Sequence, residues 1–158
     1  MEWVVGVVYA GFLFATGVLA WIDARTKRLP DKVTLPLYAW GLLGLALASW
    51  AGGAWWRLAA AAITAALFYG AFWLLWFFGP MGFGDVKLVG VLGLFLGWIA
   101  LPVAVGGLLF GMLVACAAAL GGLALGKVRR TSMVAFGPYL IAGAWAALAA
   151  QAVELIRG

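Results

Sequence analysis

Six apolar runs, most of them close to the thickness of a lipid bilayer, take up nearly the whole chain. They cover residues 3–22, 33–50, 54–78, 86–100, 103–125 and 136–156. A bilayer core of about 30 Å needs roughly 20 apolar residues per helix. Inside lipid a backbone must satisfy its own hydrogen bonds, which a helix does within one segment. The expected fold is therefore all-α and polytopic, with about six transmembrane helices, forming a single membrane-embedded domain over residues 1–158. Composition points the same way: 68% of the residues are hydrophobic and 9% charged, against roughly 25% charged in a soluble domain. No basic stretch precedes the first run and no small-residue cleavage pattern follows it, so it reads as a retained span rather than a removable signal peptide.

Charge placement orients the bundle. Arg25, Lys27, Arg28 and Lys32 follow the first run, Lys87 follows the third, and Lys127, Arg129 and Arg130 follow the fifth. With six alternating spans these eight fall on one side, and only Arg57 and Arg157 fall on the other. Lysine and arginine gather on the cytoplasmic side of membrane proteins. The three basic loops are thus expected in the cytoplasm, with both termini outside and the chain placed in the cytoplasmic membrane. The net charge of +5 is then an orientation signal, and nucleic acid is not expected as a partner.

The absence of histidine excludes Ser-His-Asp and Cys-His catalysis, and with Cys116 as the one cysteine the usual zinc sites are excluded too. No metal or cofactor is expected, and Cys116, inside an apolar run, reads as a packing residue. Small residues four apart, Gly93 with Gly97, Gly107 with Gly111 and Gly122 with Gly126, suit close helix packing in lipid. Tryptophans near the run ends, among them Trp3, Trp21, Trp50, Trp55 and Trp56, suit interfacial anchoring.

Chemistry must then rest on carboxylates, lysine, hydroxyls or backbone. The acids are Glu2, Asp23, Asp31, Asp85 and Glu154. The two glutamates lie near the termini, whereas the three aspartates map to the cytoplasmic boundary. Asp23 closes the first run and Asp85 opens the fourth. Ionisable residues at membrane depth are costly and point to function. Two carboxylates brought close cannot easily both ionise, so they share a proton and can supply one acid and one base. Taken singly, Asp23 also fits an interfacial helix end and Asp85 a helix N-cap. Gly82 and Gly84 immediately before Asp85 suggest a backbone free to bend there and admit a substrate strand.

These residues form ordered motifs. Gly82-Phe83-Gly84-Asp85-Val86-Lys87 resembles the Gly-x-Gly-Asp-x-Lys motif of the prepilin peptidases, or type IV leader peptidases. The segment from Ile22-Asp23 through Arg25, Arg28 and Pro30-Asp31 to Thr34-Leu35-Pro36 looks like their first catalytic segment, and Phe136-Gly137-Pro138-Tyr139 is similar to their late Phe-Gly-Pro motif. The resemblance implies that Asp23 and Asp85 are the catalytic pair of an aspartic endopeptidase. Gly82, Gly84, Lys87, Pro30, Asp31, Gly137 and Pro138 would support them. It further implies a substrate of the prepilin or pseudopilin kind, cleaved at the cytoplasmic face after a short basic leader that precedes a hydrophobic helix. Asp31 reads as a loop-ordering group that pairs with Arg25 or Arg28. Lys87 reads either as a partner of Asp85 or as a snorkelling lysine. Many bacterial members carry a cytoplasmic insertion with two CxxC pairs and also methylate the new N-terminus. The segment after the first run holds no such insertion, so the resemblance is to short, peptidase-only forms, and no methyltransferase activity is expected. Two other readings remain open: a small proton-coupled transporter or channel that uses the aspartates as a relay, and an inactive scaffold of a secretion apparatus. A transporter would place acids nearer the bilayer midplane.

Overall fold

A computed structural model describes residues 2–27, 29–79, 81–124 and 135–157. The described residues form six helices and no strand: α1 Glu2–Thr26, α2 Asp31–Ala51, α3 Trp55–Phe78, α4 Phe83–Ile99, α5 Leu101–Ala124 and α6 Gly137–Arg157. Five of them, all but α4, are long and apolar enough to cross a membrane. The all-helical, polytopic architecture expected of the sequence is what the chain adopts. The outer surface confirms lipid as the surrounding solvent, because side chains such as Phe14 and Phe78 stand 76% and 81% exposed. The chain is an integral membrane protein.

α4 is the axis of the bundle. With 17 residues it is about 25 Å long, the shortest of the six. Every residue from Leu88 to Trp98 is buried, so this helix can be hydrophobic all round. α3 packs against it most extensively, and α2, α5 and α6 also touch it. Glycines let the neighbours close in: a Cβ at Gly97 would stand 2.6 Å from Cβ of Thr64, and one at Gly93 would stand 3.0 Å from Cα of Ala65. The pair Gly107 and Gly111 seats α5 against Gly143 of α6 in the same way. Of the third pair, Gly126 lies outside the described residues.

Polar side chains tie the helices together, each with a partner that lipid could not supply. The Tyr9 hydroxyl donates to the Phe95 carbonyl at 2.6 Å, joining α1 to α4, where Phe12 stacks on Phe95 with ring centroids 4.2 Å apart. Trp40 Nε1 donates to the Val8 carbonyl at 3.1 Å and Trp145 Nε1 to the Thr16 hydroxyl at 3.0 Å, joining α2 and α6 to α1. Trp98 Nε1 donates to the Ser49 hydroxyl at 3.0 Å, joining α4 to α2.

Helix ends differ from the sequence expectation at the functionally interesting boundary. α1 runs on past Ile22 to Thr26, because Arg25 and Thr26 extend the helix beyond its apolar run. Lys27, at φ 52°, then stops it, its amide donating to the Asp23 carbonyl at 2.8 Å. α4 begins at Phe83 rather than at residue 86. Asp23 and Asp85 therefore both lie within helices and not in connecting loops.

Candidate functional site

Alternating helix direction brings the end of α1, the starts of α2 and α4 and the start of α6 to one end of the bundle. Asp23, in the last turn of α1, is 4% exposed. Asp85 is the third residue of α4 and half-buried. The N-cap of α4 is Gly82, without a side-chain capping bond, so Asp85 is not the cap that its position suggested. Its amide donates to the Gly82 carbonyl at 3.1 Å, and a Cβ at Gly82 would stand 3.6 Å from Oδ2 of Asp85. The two carboxylates lie within electrostatic reach of each other. Both stand near helix N-termini, Asp85 in the first turn of α4 and Asp23 against the start of α6, where the positive ends of the helix dipoles favour negative charge.

α6 is what confines Asp23. The Phe136 carbonyl accepts from the amides of Tyr139 and Leu140, both at 3.1 Å, and so turns the chain into α6 with Gly137 and Pro138 as its first two residues. Gly137 is buried against Asp23, and a Cβ there would stand 2.5 Å from Oδ2. That same Oδ2 is buried and has no hydrogen-bond partner among the described residues. Such an atom ordinarily takes a partner, and the Gly137 backbone, which bonds the same carboxylate, lies beside it.

Gly84 belongs to this site for a reason different from the one expected. Neither it nor Gly82 adopts a positive φ; Gly82 is extended at φ −73°, ψ 135°, and Gly84 is helical. What Gly84 supplies is space, since a Cβ there would stand 2.9 Å from Cβ of Leu29, in the connection between α1 and α2. The connection after Asp23 is thereby laid on the first turn that carries Asp85.

Lys87 does not pair with Asp85. Its Nζ lies 2.7 Å from Oδ1 of Asp31, so Asp31 likewise pairs with Lys87 rather than with Arg25. Arg25 instead stacks over the Trp21 ring at 4.2 Å, and Arg28 lies outside the described residues. The Tyr38 hydroxyl donates to the Lys87 carbonyl at 2.9 Å, a second tie between α2 and α4. Pro30 is the N-cap of α2, and its carbonyl accepts from the amides of Val33 and Thr34. Sequence reasoning missed Leu29 and Tyr38; neither carries a signal on its own, since both matter only through residues distant in the chain. The basic residues Lys127, Arg129 and Arg130 lie outside the described residues.

Geometry thus defines a class: an all-helical membrane protein with two carboxylates near one boundary, one of them buried with an oxygen that has no partner among the described residues. Two such groups can share a proton and orient a water. Residues 7–145 match the model of the type IV leader peptidase family. Among curated proteins the chain is 38% identical over 137 residues to the prepilin leader peptidase/N-methyltransferase of Aeromonas hydrophila, covering 82% of this chain and 44% of that protein. It is 38% identical over 155 residues to that of Burkholderia pseudomallei strain K96243, covering 90% and 47%. It is 33% identical over 149 residues to that of Escherichia coli strain K12, covering 89% and 61%. No solved structure matches the chain at a significant level. The chain belongs to the type IV leader peptidase family, and it spans about half the length of the curated relatives it matches.

Proposed function

We propose that this chain is a membrane aspartic endopeptidase that removes the short basic leader of prepilin-like proteins. Asp23 and Asp85 jointly hold a water, one carboxylate taking its proton as the oxygen attacks the scissile carbonyl and the other protonating the leaving amine. The observation that carries this reading is the buried Asp23 carboxylate, whose Oδ2 has no hydrogen-bond partner among the described residues, at the same end of the bundle as Asp85. Family membership and the names of the relatives support a peptidase over a transporter. So does the placement of the acids, all five of which lie near helix ends rather than mid-span.

Gly82, Gly84, Gly137, Pro30, Pro138 and the Asp31–Lys87 pair shape the site without joining the chemistry. The active end faces the cytoplasm, a reading supported by the bias of lysine and arginine toward that end, with Arg25, Lys27, Lys32 and Lys87 beside it. The relatives are named for both peptidase and methyltransferase activity. The segment between α1 and α2 is only four residues here, with no CxxC pair, and we assign this chain the peptidase step alone. Co-expression with a panel of prepilin-like substrates tests the reading: mass spectrometry should find a new N-terminus after the basic leader, without methylation. Intact substrates beside well-inserted enzyme would contradict it.

A further inference from the structure

The opposite end of the bundle holds a second site. A cavity of about 910 Å³ opens there between α1, α3, α4 and α6, and its polar lining is Glu2, Tyr9, Arg57, Trp98 and Gln151. Its size falls within the range of about 300–1,000 Å³ usual for small-molecule sites. Leu13, Leu148 and Leu155 supply an apolar wall.

Arg57 is the third residue of α3. An arginine near a membrane boundary ordinarily snorkels outward to water. This one turns inward: its guanidinium carbon lies 5.1 Å from the Trp98 ring centroid and 5.4 Å from that of Trp56. Nε is buried with no hydrogen-bond partner among the described residues. Aromatic faces offset part of a cation's charge but supply no acceptor for the buried Nε–H. Glu2 lines the same cavity but is exposed and forms no ion pair with Arg57; the ion pair among the described residues joins Asp31 to Lys87. A half-buried guanidinium lining a cavity and paired with no carboxylate among the described residues suits an oxyanion such as phosphate. A free phosphate would leave most of the cavity and its apolar wall unused.

We propose that this cavity binds an anionic phospholipid, its phosphate held by Arg57 between Trp56 and Trp98 and an acyl chain laid along Leu13, Leu148 and Leu155. The site is separate from the aspartates and independent of the peptidase reading.

The test uses the full chain purified in neutral detergent, offered equal amounts of phosphatidylglycerol and phosphatidylcholine, with retained lipid read by native mass spectrometry. Wild type should retain the anionic lipid several-fold over the zwitterionic one: both carry the phosphate, but the choline cation of phosphatidylcholine is repelled by Arg57 and phosphatidylglycerol has none. Arg57→Gln should lose that preference, and Arg57→Lys should keep part of it, since it retains the charge without the fork. Glu2→Gln, which removes the nearby carboxylate, should bind the anionic lipid at least as well as wild type and gives a readout should Arg57→Gln fail to fold. Equal retention of the two lipids by wild type would overturn the proposal, as would loss of retention in Glu2→Gln. Displacement of phosphatidylglycerol by millimolar inorganic phosphate would show a free-anion site and overturn the lipid assignment.

Discussion

Gly137 leaves no room for a side chain beside Asp23: a Cβ there would stand 2.5 Å from Oδ2, the oxygen that has no partner among the described residues. The first turn of α6 therefore sets where the Asp23 carboxylate can point. Gly137→Ala would have to swing the carboxylate aside rather than displace backbone, so the effect belongs on rate more than on stability. We expect cleavage to fall by about ten-fold or more, as misplacement near reacting groups does, with membrane insertion and thermal stability near wild type. Initial rates and a melting curve on the same preparation check this. A wild-type rate would show that Gly137 does not position Asp23.

Gly84 makes a complementary prediction about packing. The atom that a Gly84→Ala side chain would meet is Cβ of Leu29, at 2.9 Å, which cannot rotate out of the way. The substitution should destabilise by about 1–3 kcal/mol, the usual cost of overpacking. Leu29→Gly in the same chain should recover more of the loss than Leu29→Ala, because only glycine removes the clashing atom. Equal recovery by the two would place the strain elsewhere.

The Asp31–Lys87 pair should matter little energetically. Its side chains are 56% and 21% exposed, and exposed pairs contribute about 0–1 kcal/mol. Asp31→Asn and Lys87→Met should each slow cleavage only several-fold. A double-mutant cycle on stability should give a coupling within that range. A rate loss as deep as that of an Asp85 variant would mean that Lys87 or Asp31 takes part in the chemistry.

A shared proton predicts a bell-shaped dependence of rate on pH, since the protons of an interacting pair leave in two macroscopic steps. Steady-state rates across acidic and neutral pH on a detergent-solubilised substrate would show it. A flat profile, with chemistry rate-limiting, would contradict the shared-proton arrangement.

The architecture could be read from the sequence because lipid leaves a chain few choices: apolar runs of bilayer length become helices, and those runs found all six. Their ends were less legible. Arg25 and Thr26 look like loop residues but continue α1, since polar side chains at a membrane boundary can stay helical while reaching water. The reach of α4 back to Phe83 was hidden by Gly82 and Gly84, which read as a bend yet serve close approach. Apart from the two aspartates, which the motifs set at one boundary, pairings across the bundle were not legible. Lys87 meets Asp31 and Gly137 meets Asp23 through helix packing, and no local spacing encodes either. The inward turn of Arg57 was equally hidden, because sequence placed it at a boundary where arginine normally faces water.

In the proposed reaction Asp23 and Asp85 act together on one water. The most direct test of this is cleavage of a prepilin-like substrate by purified Asp23→Asn and Asp85→Asn, substitutions that keep shape and remove the ionisable group. Each should slow cleavage by at least about a hundred-fold, the lower range for loss of general acid–base catalysis, with insertion and melting unchanged. Cleavage near the wild-type rate by either variant would remove that residue from the pair and contradict the account.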